Sequence, residues 1–179
     1  MRRIIAFGAS SSRQSINQKF ALYVAHQIKD AQVIQVDLND YEMPIYSVDR
    51  QSKEGIHPLA LSFKQLIRSC DGIVISFAEH NGAYSAAFKN VFDWISRIEK
   101  NVWEDKPMLI LSTSPGGRGG AAVFDIASDK LERMNPHVVR GISLPFFHTN
   151  FSQDGGVLDA DLHKVLLSKI GDFEGVLKG

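Results

Sequence analysis

Short apolar runs alternate along the chain with stretches in which apolar residues recur at helical spacing. Ile4-Ile5-Ala6-Phe7 reads as a buried strand, and Phe20, Ala21, Val24, Ala25 and Ile28 follow as one face of a helix. Val33, Ile34 and Val36 predict a second strand ending at Asp37. The polar stretch around Pro44, up to Gly55, reads as a loop of unusual length for a compact domain. Leu59, Phe63, Leu66 and Ile67 predict a second helix, and Gly72-Ile73-Val74-Ile75-Ser76-Phe77 a third strand. Phe88, Val91, Phe92, Ile95 and Ile98 line a third helix. Met108-Leu109-Ile110-Leu111 is a fourth strand, and Val123, Phe124, Ala127, Leu131 and Met134 mark a fourth helix. Val138 to Leu144 predicts a fifth strand, with Leu158, Leu162, Val165, Leu166 and Ile170 in a closing helix.

Strands that alternate with helices in this way predict an α/β fold with a parallel sheet. Strands so uniformly apolar are expected where helices cover both faces, which makes three layers, α/β/α. Five strands favour the flavodoxin-like order over the longer dinucleotide-binding fold. No repeat, linker or low-complexity tract interrupts the pattern, so residues 1–179 read as a single domain.

Composition narrows the function classes. Lys plus Arg equal Asp plus Glu, 20 against 20, which argues against nucleic acid or an acidic membrane as partner. Cys70 is the only cysteine, so no internal disulfide forms, as suits a reducing compartment. No apolar run approaches the ~20 residues of a membrane span, and the first run is too short for a signal peptide. A cytoplasmic, soluble protein is the expectation.

Three strand-to-helix junctions carry the candidate chemistry, because a parallel sheet collects its ligands at the carboxyl ends of its strands. The first, Ala9-Ser10-Ser11-Ser12-Arg13-Gln14-Ser15-Ile16-Asn17, supplies hydroxyls and the start of a helix, which suit a phosphate. It lacks both G-x-G-x-x-G and G-x-x-x-x-G-K-[ST], so neither a dinucleotide fingerprint nor a P-loop is present. Its structural alternative is a Ser-rich turn with Ser15 as N-cap. The second, Ser114-Pro115-Gly116-Gly117-Arg118-Gly119-Gly120, can lie flat against a ring and aim amides at it, or be no more than a flexible turn. A helix start at its end suits the anionic edge of a reduced flavin. The third, Ala78-Glu79-His80-Asn81-Gly82, holds an Asn-Gly turn signal. Gly82 permits a backbone amide to approach a ring edge there. Glu79 and His80 suggest acid–base work, but no nucleophile accompanies them. Together the loops read as a site for a phosphorylated, planar cofactor.

The remaining histidines, at 26, 57, 137, 148 and 163, show no paired spacing, so no metal site is expected. Cys70 ends an amphipathic helix as a small buried hydrophobe rather than a nucleophile. Trp94 and Trp103 read as core or interface, and Asp93 as a helix-face charge. No catalytic side chain stands out.

These loops resemble those of the NADPH-dependent FMN reductase family. Its usual signatures are G-S-x-R-x-x-S-x-N, P-E-Y-N-G followed by L-K-N-x-x-D-W, and S-x-G-G-x-G-G. Here they read Gly8-Ala9-Ser10 with Ser15-Ile16-Asn17, then Glu79-His80-Asn81-Gly82 with Phe88-Lys89-Asn90-Val91-Phe92-Asp93-Trp94, then Ser114 to Gly120. The resemblance implies FMN as cofactor and NADPH or NADH as co-substrate. It implies that Ser10, Ser12, Ser15, Ile16 and Asn17 hold the FMN phosphate. Glu79, His80, Asn81 and Gly82 would border the ring and ribityl chain, and Ser114, Gly116 and Gly117 cover the pyrimidine edge. The implied activity is NAD(P)H oxidoreductase toward a quinone, a free flavin or an azo compound, in a homodimer or homotetramer. Arg13 lies one position closer to Ser15 than the family's arginine, and Ala78 and His80 replace its Pro and Tyr. The other readings of the chain are a non-enzymatic flavodoxin-like electron carrier, usually acidic where this chain is neutral, and a binding or regulatory protein without flavin.

Overall fold

Alternation along single strands builds two cores. In β1 (Arg2–Ala9), Ile5, Phe7 and Ala9 face one core while Ile4 and Ala6 face the other. Successive side chains of a strand point to opposite faces, so an unbroken apolar run needs cover on both sides. In the computed structural model, which describes residues 1–178, helices provide that cover. β1 leads through α1 (Ile16–His26) to β2 (Ala31–Gln35), then a 3-10 turn (Leu38–Tyr41), α2 (Val48–Glu54) and α3 (Pro58–Ser69). β3 (Gly72–Phe77) follows, then a small hairpin of β4 (Glu79–His80) and β5 (Ala83–Tyr84), and α4 (Ala86–Ile95). After β6 (Met108–Thr113), α5 (Ala121–Glu132) and β7 (Val138–Leu144) come the short α6 (Phe147–Asn150), a hairpin of β8 (Phe151–Ser152) and β9 (Gly156–Val157), and α7 (Ala160–Val176).

The main sheet runs β2-β1-β3-β6-β7 with every neighbouring pair parallel, the flavodoxin-like order that the sequence predicts. Phe63 and Ile67 of α3, Phe88 and Trp94 of α4 and Val123 of α5 pack into one core. Phe20 and Val24 of α1, with Leu166, Ile170 and Phe173 of α7, pack into the other. Trp94 and Trp103 are both buried in the first core, and Asp93 pairs with Lys89 one helical turn away on the surface. Cys70 is buried, and burial pushes its thiol up to about 11. Among the described residues no helix is long and apolar enough to cross a membrane.

One expectation is corrected. The segment up to Gly55, read as a loop, contains the 3-10 turn and α2. α2 buries none of its residues, so it leaves no apolar period to detect. It forms because the Ser47 side chain accepts from the Arg50 amide at its start, and because Gly55, at φ 78°, closes its end.

Between α3 and the segment that leads into β6 lies a saturated ion cluster. Lys64 is 1% exposed, and its Nζ lies 2.8 Å from both Glu99 Oε1 and Glu104 Oε1. It also donates to the carbonyls of Asn101 and Val102 at 2.6 and 2.8 Å. Arg68 joins the same two carboxylates from outside. Hydrogen bonding from Lys64 above all, with Arg68, holds the Glu104 carboxyl down at about 2.

Candidate functional site

The carboxyl ends of β1, β3 and β6 lie side by side because these are the three central strands. After β1 the chain turns through a ladder of serines. Ser10 Oγ accepts the Ser12 amide at 3.1 Å, Ser12 Oγ the Gln14 amide at 3.3 Å, and Ser15 Oγ the Gln18 amide at 3.2 Å as N-cap of α1. Each hydroxyl oxygen thus accepts from the backbone, while its own proton has no acceptor among the described residues. A hydroxyl is one donor plus two acceptor positions, so three O–H donors remain for something else. The amides of Ile16 and Asn17 at the helix start are likewise without a hydrogen-bond partner among the described residues.

Asn17 differs from its neighbours. Its side chain is buried; Oδ1 accepts from Ser76 Oγ at 2.7 Å and the Thr113 amide at 3.0 Å, while Nδ2 donates to the Thr113 carbonyl at 3.1 Å. The residue therefore locks α1 to the ends of β3 and β6 and offers a ligand only its backbone amide. Ser76 in β3, and Ser112 with Thr113 in β6, are the polar residues of otherwise apolar strands, and the sequence gives them no role of their own. Their signal was that break in the apolar run at each strand end.

The third junction is a hairpin. Asn81 and Gly82 have φ 53° and 75°, the left-handed pair that a two-residue turn requires, and a Cβ on Gly82 would meet nothing within 4 Å. The turn signal is thus explained by the turn itself. The hairpin carries Glu79 back over the sheet, where Oε2 accepts the Val123 amide at 3.1 Å. α5 begins at Gly120 without a side-chain cap of its own, and Glu79 supplies a carboxylate to its first turn. The Val123 amide at this helix start is thus partnered by the Glu79 carboxylate. Tyr84, opposite Glu79 in the hairpin, packs on Phe77 and Phe88, and burial pushes its phenol up to about 12.

The glycine-rich loop is held from outside. The amides of Phe146 and Phe147 donate to the carbonyls of Gly116 and Ser114, each at 3.0 Å. Thr113 Oγ1 donates to the Leu144 carbonyl at 2.7 Å, and Ser112 Oγ and Ser143 Oγ both reach the Gly119 carbonyl at 2.9 Å. Gly117 is in close approach: a Cβ there would lie 2.7 Å from Cζ of Phe146. Phe146 has φ 47° and ψ 55°, a left-handed backbone that costs a bulky residue about 1–2 kcal/mol. Nothing in the local sequence singled it out.

These loops enclose a cavity of about 260 Å³, lined by Ser10, Ser12, Ser15, Ile16, Asn17, Glu79, His80 and Ser114, with Gln14, Ala78, Thr113 and Pro115 beside them. Of the residues singled out from sequence, Asn81, Gly82, Gly116 and Gly117 lie outside its lining. His80 is exposed, and Arg13 and Arg118 are exposed and make no ion pair among the described residues. A groove of about 350 Å³ adjoins at Ser11, walled by Tyr41, Met43 and Asn90. No group of three or more metal-ligating side chains is present among the described residues.

A family model described as NADPH-dependent FMN reductase matches residues 2–149. The chain is 36% identical to a quinone reductase of Escherichia coli over 80 residues, 45% of this chain and 43% of that one. It is 36% identical to an NADPH:quinone oxidoreductase of Arabidopsis thaliana over 84 residues, 47% and 42% of the two. The match thus spans less than half the length of these curated relatives. Among solved structures, a flavoenzyme NAD(P)H:acceptor oxidoreductase of Paracoccus denitrificans superposes with a TM-score of 0.78 over 99% of this chain and 98% of that one, at 22% identity.

Proposed function

The chain belongs to the NADPH-dependent FMN reductase family, and from that membership we propose that it is an FMN-dependent NAD(P)H oxidoreductase acting on a small acceptor such as a quinone, a free flavin or an azo compound. The observation that carries this reading is the serine ladder. Three serine hydroxyls that have no acceptor for their protons among the described residues, and two helix-start amides, line one cavity, the donor set a phosphate group requires. Ser10, Ser12 and Ser15 would hold the phosphate by their hydroxyls, Ile16 and Asn17 by their amides. Ala78, His80 and the hairpin would border the ring and ribityl chain, and Ser114, Gly116 and Gly117 would cover its pyrimidine edge. FMN held there would supply the redox chemistry between the nicotinamide and the acceptor.

The protein's part in this reading is binding and electrostatics. Asn17 fixes the phosphate loop to the sheet, and Glu79 fixes the hairpin to α5. Arg118, exposed in the glycine-rich loop, suits the 2′-phosphate of NADPH through paired hydrogen bonds and supports NADPH over NADH. The one domain over residues 1–179 would carry the whole activity. Ile45 and Val48, 80% and 65% exposed, support pairing of copies as a homodimer or homotetramer. The lone buried thiol and neutral charge support a cytoplasmic location.

Release of the cofactor by heat, followed by chromatography, should yield FMN; FAD, or no flavin, would refute the reading. An acceptor panel run with NADH and NADPH on the FMN-loaded protein should then show turnover. Bound FMN without turnover of any acceptor would mean an electron carrier instead.

A further inference from the structure

The geometry points to Phe146 as the positioning residue that fixes the Gly116–Gly117 peptide for the cofactor. This rests on the flavin reading of the site and goes beyond it, since no sequence motif marks Phe146. Among the described non-glycine residues with positive φ, the others are Asp30, Asn81, Glu104 and Asp105; Phe146 alone is a large aromatic, and it is 53% exposed. An exposed ring does not need a strained backbone to reach water, so the conformation has another cause.

The hydrogen bonds supply it. In extended backbone successive amides point to opposite sides, whereas the amides of Phe146 and Phe147 both turn to the glycine-rich loop, at Gly116 and Ser114. A helix-like, left-handed Phe146 permits this, and its own carbonyl is then taken by the amides of Thr149 and Asn150, both at 2.9 Å. The consequence for the loop follows from peptide planarity. In a trans peptide the C=O and N–H point to opposite sides. The Gly116 carbonyl accepts the Phe146 amide at 3.0 Å, and within the loop the Gly119 amide at 3.2 Å and Ser114 Oγ at 3.3 Å; the N–H of Gly117 faces away from Phe146 and has no partner among the described residues. The phenyl ring covers the other flank: its Cζ lies where a Gly117 side chain would be. Phe146 therefore supplies, from outside the loop, the shortest of the three contacts that set the direction of this free donor, and its ring closes the loop's outer side. A ligand that gains negative charge at its edge, as a flavin does on reduction, is the chemistry such a preset donor serves.

The test uses sulfite on the FMN-loaded protein. Sulfite adds through sulfur to the bound flavin, bleaches its visible band and leaves one negative charge on the ring, so the tightness of the adduct reads how well the site holds an anionic flavin. Phe146→Gly keeps a left-handed backbone accessible and removes the ring. Because glycine is free to leave the left-handed conformation and no ring covers the loop, the variant should weaken the sulfite adduct about three- to tenfold, while the thermal midpoint of the flavin-free protein stays within a few degrees. Phe146→Tyr should stay within about twofold of wild type, on the same scale. Gly117→Ala should weaken the adduct in the wild-type protein and add nothing in the Phe146→Gly background, where the clashing ring is gone. An adduct as tight in Phe146→Gly as in wild type, or a Gly117→Ala effect independent of residue 146, overturns the role of Phe146. A chain that takes up no FMN at all overturns the proposed function instead.

Discussion

The Lys64 cluster and the serine ladder are both built from polar groups placed against the core, yet their hydrogen-bond accounts are opposite. Around Lys64 the ammonium meets two carboxylates and two carbonyls, and Arg68 joins the same carboxylates from outside. In the ladder, three hydroxyls accept backbone amides and leave their protons free. Ser10 and Ser15 are buried while Ser12 is exposed, and a buried polar group without a partner is costly, so donors left open here and closed at Lys64 differ in purpose. The closed cluster holds the fold, and the open ladder is where we propose that the cofactor phosphate sits.

The sharpest way to break this contrast is Lys64→Ala. Removing the buried ammonium strands the Asn101 and Val102 carbonyls and leaves both carboxylates to Arg68 alone, so the thermal or denaturant midpoint should fall by the equivalent of about 3 kcal/mol. FMN affinity of the surviving folded protein should not change; a loss of affinity would show that the two regions are coupled. Asn17→Ala comes next. It strands Ser76 Oγ and the Thr113 amide in the core, which should cost about 2 kcal/mol by denaturant titration. Although it lies at the site end, it should behave as a fold residue, and an unchanged stability would contradict that.

Ser15→Asp acts in the reverse sense. Aspartate is as good an N-cap as serine, so the midpoint should move by less than about 1 kcal/mol. A carboxylate against the phosphate should nevertheless weaken FMN binding by more than about tenfold, equivalent to roughly 1.4 kcal/mol. A fluorescence titration with unchanged affinity would remove Ser15 from the phosphate site. The smallest effect is on pH dependence. The folded Glu104 carboxyl titrates at about 2, below its ordinary 4.5. Its contribution to stability is therefore complete above about 4.5 and is lost as pH falls toward about 2. Glu104→Gln should flatten the stability profile in that window only; an unaltered profile would count against the pairing.

Much of this was legible in the sequence, because sheet burial writes itself as apolar runs that nothing else explains. Gly72–Phe77 and Met108–Thr113 are buried at every position, and both strands were apparent from composition alone. The serine turns and the Ser15 cap were legible because each reaches only two or three residues ahead. What escaped notice depends on distant partners. Glu79 meets Val123 across 44 positions, and Asn17 meets Thr113 across 96. The left-handed backbone of Phe146 is imposed by a loop some 30 residues earlier, with no local residue preference to announce it. α2 was missed for the opposite reason: it rests on local caps alone and buries nothing.

The tie between Asn17 and Thr113 also has a temporal side. All three serines of the ladder leave the ribosome early, yet the carbonyl and amide that clamp Asn17 follow 96 residues later. At synthesis rates of roughly 5–20 residues per second, that interval is on the order of ten seconds. Throughout it, the nascent loop has its hydroxyls but no anchor, and α1 has no β6 to lean on. Cofactor capture is thus deferred until the central three strands exist, and a chain stalled before Thr113 should emerge colourless.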